Sequence, residues 1–120
     1  MSRPDRDPRD LVPLPRATFH ALLALQEEPL HGYAVKQKVE RLSNGAIRMA
    51  PGTLYETLHR MRERGLVEET APPDEDGEGH AQRNFYRLTA LGRDALRAEV
   101  ELLGPMIDHA RGVMRATGPI

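Results

Sequence analysis

Residues 16 to 65 are cut by helix breakers into three short pieces, and this punctuation limits the available folds more than any other feature of the chain. Proline fixes its own φ and bars its predecessor from the helical region, so Pro29 stops a first helix predicted over Arg16–Glu28. Phe19, Leu22, Leu23 and Gln26 share one of its faces. Asn44-Gly45 tolerates positive φ and ends a second helix, which starts at His31 or Gly32 and runs to Leu42. Its apolar stripe is Val35, Val39 and Leu42. Pro51 opens a third helix, where the first turn accepts proline, and Gly65 closes it after Arg64. Leu54, Leu58 and Met61 form its buried stripe, and the β-prone Ile47–Met49 predicts a short strand just before it.

Two further strands are predicted over Leu66–Thr70 and Asn84–Leu88, joined by the Pro-, Gly- and acid-rich Ala71–Arg83. Thr89 then serves as N-cap for a last helical segment. In that segment Leu96, Val100, Leu103, Ile107, Ala110 and Met114 repeat at spacings of 4, 3, 4, 3 and 4. This is a heptad stripe, and it suits a seam against a second copy better than the wider face of a helix covering its own domain. Gly104-Pro105 interrupts it, which predicts a kink or two consecutive helices, because proline cannot donate to the carbonyl four residues back. Leu11, Val12 and Leu14 follow an Arg/Asp- and Pro-rich start and are expected to dock on another element or on the partner subunit. The order predicts a mainly α protein with a small β-wing. Residues 1–15 form a flexible tail, 16–89 a winged helix-turn-helix domain, and 90–120 a dimerisation helix.

Charge refines this picture. The 120 residues carry 17 basic and 18 acidic side chains, yet the near-zero total is a cancellation between neighbouring segments. His31–Val67 holds seven basic residues against three acidic, whereas Glu68–Gly79 holds six acidic and no basic ones. Cysteine is absent, which excludes disulfides, thiolate metal sites and a Cys nucleophile. The five histidines lack metal-ligand spacing, no phosphate-cradling glycine loop or nucleophile elbow occurs, and no cofactor is expected. The longest purely apolar run is Ala21–Leu25, too short to span a bilayer, and no secretory leader is visible. The expectation is a cytoplasmic protein that is not an enzyme.

Several strings now carry a resemblance. Leu30-His31-Gly32-Tyr33-Ala34-Val35-Lys36, Ala50-Pro51-Gly52-Thr53-Leu54-Tyr55, Leu58-His59-Arg60-Met61, Glu63-Arg64-Gly65-Leu66-Val67 and Phe85-Tyr86-Arg87-Leu88-Thr89-Ala90-Leu91-Gly92 resemble the PadR family of bacterial winged-helix regulators, from about Phe19 to Leu96. The resemblance implies a homodimer on a near-palindromic double-stranded operator, repression of transcription, and dimer contacts from the helix after the wing. It also implies release by a small aromatic inducer. Such a ligand is expected near Phe19, Leu103, Ile107 and Met114, with simple packing of the dimer core as the alternative.

The third helix can be read for DNA contact directly. With Leu54, Leu58 and Met61 inward, Gly52, Glu56, His59 and Glu63 point outward, with Thr53 and Arg60 on one shoulder and Tyr55 and Arg62 on the other. A helix N-terminus entering a major groove brings Pro51, Gly52, Thr53, Tyr55, Glu56, His59 and Arg60 near bases and phosphates. Gly52 permits close backbone approach, Thr53 suits a thymine methyl, and Tyr55 is either a phosphate donor or a half-buried packing residue. Glu56 repels phosphate unless it accepts from a cytosine amino group or is held by Arg60. Tyr33, Lys36 and Lys38 flank the start of the second helix, which suits a phosphate, while His31 reads as an N-cap. In the wing, Arg83 is assigned to the minor groove, but the acidic Asp74–Glu78 tip is not. Leu11 and Leu14 join Leu96, Val100, Leu103, Ile107, Ala110 and Met114 as the expected dimer surface. The competing function is a winged-helix module that binds protein rather than DNA.

Overall fold

A computed structural model describes residues 7–72 and 84–118. A 3-10 turn, Pro8–Leu11, precedes helix α1, Arg16–Ala24. Then follow β1 (Leu30–His31), α2 (Gly32–Leu42), α3 (Pro51–Glu63), β2 (Val67–Thr70), β3 (Phe85–Leu88) and α4 (Ala90–Thr117). The result is a helical bundle with a small antiparallel sheet, ordered β1-β3-β2.

The breakers act where the sequence places them. Asn44 and Gly45 adopt φ of 54° and 82°, and Gly65 adopts 79°. Pro51 occupies the first turn of α3. Helix α1 ends earlier than Glu28: the Leu25 N–H already reaches back to Ala21 and Leu22, and the chain leaves the helix before Pro29. His31 caps α2, its Nδ1 accepting from the Ala34 N–H at 3.2 Å.

The expected strand at Ile47–Met49 is absent. The Ile47 N–H is taken by Ser43 Oγ, which itself donates to the Val39 carbonyl at the end of α2. The third strand is Leu30–His31, paired with Tyr86 and Phe85, and it fills the edge of β3 opposite β2. This pairing also buries Phe85, which lies edge-on to the His31 ring at 5.2 Å between centroids.

The core is continuous from Leu14 to Leu96. Leu22, Val35, Leu54, Leu58, Met61, Leu66 and Val67 are its most enclosed large side chains, and burying each contributes roughly 1.5–3 kcal/mol. Leu42 departs from the predicted α2 stripe and is 54% exposed. The junction of wing and α4 is clamped by Thr89. Its hydroxyl donates to the Gly65 carbonyl and accepts from the Gly92 N–H, while its own N–H donates to the Leu66 carbonyl.

Helix α4 is one continuous 28-residue helix with Pro105 inside it, so the expected division into two helices does not occur. Residues 7–15 are not a free tail. The 3-10 turn packs along α4, Leu14 lies in the core, and the Leu14 N–H donates to Glu99 Oε1 at 2.9 Å. Glu99 is only 4% exposed, a buried carboxylate on the otherwise apolar inner face of α4.

Candidate nucleic-acid interface

Helix α3 faces two environments. Leu54, Thr57, Leu58 and Met61 are buried, while Pro51, Gly52, Thr53, Tyr55, Glu56, His59 and Arg60 are all exposed, as their 3.6-residue spacing predicts. Nothing lies within 4 Å of where a Gly52 Cβ would stand, so this end of the helix is open to close approach.

Tyr55 does two things. It is half exposed, and its ring covers Gly32 so closely that a Cβ there would stand 2.8 Å from Tyr55 Cε1. Glycine at the start of α2 is therefore what lets α3 approach with a tyrosine on its shoulder. Glu56 accepts from Arg60 Nη2 at 2.8 Å, one turn apart. His59 and Glu63 stand at 3.2 Å, and Arg62 is taken by Glu69 on β2. On the wing, Arg87 pairs with the facing Glu68 at 2.7 Å.

The flank beside α3 divides in a way the sequence did not reveal. Tyr33 is exposed, with the Lys36 ammonium 6.0 Å from its ring centroid. Lys36 also pairs with Glu40 at 2.7 Å, which holds the Glu40 carboxyl below its ordinary pKa. Lys38 corrects the expectation of a phosphate contact: it is 9% exposed and tied to Glu27, in the turn after α1, at 2.8 Å. The hydrogen bond from Lys38 likewise holds Glu27 below the usual carboxylate range. Arg41 and Arg48, at the end of α2 and in the connector, are exposed cations, marked beforehand only by the basic bias of the segment. Arg83 and the Asp74–Glu78 tip lie outside the described residues.

The expected dimer stripe is split by the fold. Leu96 and Leu14 belong to the chain's own core, and Leu11 packs against that core, so these three are not the free apolar surface expected of them. Val100, Ile107, Ala110 and Met114 remain exposed, Met114 by 68%, and Leu103 is half-buried. Leu102, Met106 and Val113 are exposed as well. At 100° per residue they form a second stripe beside the first, which widens the apolar face to roughly 160°.

The expected ligand residues are also divided. Phe19 and Leu103 line an open cavity of about 390 Å³ together with Leu14, Arg16, His20 and Glu99. Ile107 and Met114 lie farther along α4 and do not line it. Partial burial, and then the charge of Arg16, push the His20 imidazole below its ordinary pKa. Among the described residues no group of three His, Asp or Glu side chains is placed to hold a metal ion. No described helix is long and apolar enough to cross a membrane.

Comparison with known proteins gives this surface a context. The model of the family described as "Transcriptional regulator PadR-like family" matches residues 21–98. A transcriptional regulator of Mycobacterium tuberculosis is 41% identical over 95 residues, covering 78% of this chain and 81% of that protein. An uncharacterized 37.1 kDa protein in a transposon of Streptomyces fradiae is 41% identical over 83 residues, 69% of this chain but only 21% of that longer protein. A PadR family transcription regulator from Clostridium difficile has the same fold, with a TM-score of 0.68 over 82% of this chain and 98% of that one at 17% identity. Its helix-turn-helix, its small sheet and its matched segment from Ala21 to Ala98 together place the chain in the PadR-like family of transcriptional regulators, which are not enzymes.

Proposed function

We propose that the chain is a homodimeric, sequence-specific repressor that binds a double-stranded operator in a bacterial cytoplasm and is associated with the nucleoid while bound. One observation carries this reading: every α3 side chain assigned to base or phosphate contact is exposed, on a helix whose opposite face is locked into the core. Residues 16–89 then act as the DNA-binding unit, with Thr53, His59 and Arg60 toward bases and Tyr33, Lys36 and Tyr55 toward the backbone. Arg83 is assigned to the minor groove beside them. Residues 90–120 act as the pairing helix.

The apolar face of α4 supports the dimer. Val100, Leu103, Ile107 and Met114 form a contiguous patch, and patches of this kind on soluble proteins mark interaction surfaces. A face roughly 160° wide is more than one partner helix covers, so α4 is expected to meet two elements of the second copy. The cavity beside Phe19 and Leu103 supports a small aromatic inducer that shifts the packing of α4 and thereby the separation of the two α3 helices.

The test is solution mass together with binding to a fluorescent duplex from the region upstream of the chain's own gene, at two salt concentrations. The expected result is a dimer that prefers this duplex to a scrambled one and loses affinity steeply as salt rises. A monomer with no affinity for duplex DNA overturns the reading and leaves a winged-helix protein-interaction module in its place.

A further inference from the structure

The recognition helix carries no net positive charge. Within Pro51–Glu63, Arg60 and Arg62 are balanced by Glu56 and Glu63. The balance is local: Glu56 holds Arg60, Glu63 faces His59, and Glu69 of β2 takes Arg62. Of these acids, Glu56 is nearest the end of α3 that enters a groove, and 62% of its side chain is exposed. A carboxylate there opposes DNA twice. It repels phosphates, and it occupies the guanidinium that would otherwise neutralise one. Both effects hold on any sequence except one that offers Glu56 a different donor. The major groove supplies that donor in the cytosine N4 amino group.

We propose that Glu56 is a specificity-determining residue of α3, a brake that keeps Arg60 occupied until a cytosine amino group takes its place. Arg60 then turns to a neighbouring phosphate or guanine. The exchange disturbs nothing buried, because Arg60 is 66% exposed and an exposed pair one turn apart is weak. Non-cognate duplex places no cytosine amino group at Glu56, and adenine N6, the other major-groove amino donor, sits beside the N7 acceptor that repels a carboxylate, so the brake stays on. This inference rests on the DNA-binding reading above.

The experiment selects duplexes from a random library with the wild-type chain and with Glu56→Gln, and sequences both pools. Affinities for the best wild-type duplex and for a scrambled duplex are then measured over a range of salt. The wild-type pool should carry a fixed C·G pair at one position of each half-site, and the Glu56→Gln pool should lose it. The preference for the selected duplex over the scrambled one should fall roughly 30-fold or more, one contact being lost in each half-site. The salt slope on scrambled DNA should steepen by about 2, the mark of one more neutralised phosphate in each protomer of the dimer, and Glu56→Gln/Arg60→Ala should remove that gain. Thermal unfolding verifies that the exposed substitutions leave the fold intact. Equal tightening on both duplexes with the C·G preference retained overturns the proposal, because Glu56 would then only repel. A wild-type chain that enriches no duplex sinks the DNA reading itself, and the brake with it.

Discussion

A carbon added to Gly92 would stand 2.0 Å from the Leu66 carbonyl oxygen, far inside van der Waals contact. That oxygen is fixed, because it accepts the Thr89 N–H where α4 is clamped to the turn after α3. Gly92→Ala is therefore expected to cost about 3 kcal/mol or more, seen as a fall in Tm of roughly 10 °C or more in thermal unfolding. Gly52→Ala is the opposite case. It meets no atom within 4 Å, so its Tm should stay near wild type while affinity for operator DNA drops, because the added methyl blocks close backbone approach. The two glycines look alike in the sequence; only the Leu66 carbonyl against which α4 packs Gly92 separates them. Lys36 and Lys38 differ for the same reason: both lie on α2, but Lys38 alone is buried and pairs with Glu27 in the turn after α1.

At the scale of elements, α4 serves two masters along its length. Its first turns supply Ala95, Leu96 and Glu99 to the chain's own core, and from Val100 onward its apolar residues are exposed except for the half-buried Leu103. Ile107→Glu should leave the unfolding free energy of a single chain within about 0.5 kcal/mol of wild type, because that side chain is already 47% exposed. The solution mass should fall from twice the chain mass to once. An unchanged mass would show that another surface holds the copies together. The heptad spacing revealed that α4 has an apolar face. It did not reveal where along the helix the cover changes from the chain itself to something else, because periodicity records a face and not its neighbour. The connector between α2 and α3 makes the same point, since the β-prone Ile47 spends its N–H on Ser43 rather than on a strand.

For the whole molecule, acid is expected to weaken the fold through His20. Burial, and then Arg16, hold its pKa below the ordinary 6.5. The unfolded chain therefore takes up the proton first as pH drops. Stability is unaffected above about pH 7 and declines from pH 6.5 down through the folded-state value. Denaturant unfolding at pH 7.5 and 5.5 should show the lower stability at pH 5.5, because only the unfolded chain has taken up that proton. His20→Gln should flatten that part of the profile. Much of this architecture is legible in the chain itself. Asn44-Gly45, Pro51 and Gly65 act through their own φ preferences, so helix order and the boundaries of α2 and α3 need no partner, and the exposed face of α3 follows from its spacing alone. The two-residue strand Leu30–His31 has no local signal, because it exists only once β3 arrives from the far end of the wing to pair with it. The burial of Lys38 and Glu99, the exposure of Leu42, and the place where α4 leaves the core are likewise set by tertiary packing. Each depends on which distant side chain comes to lie against a face, and neither composition nor period carries that information.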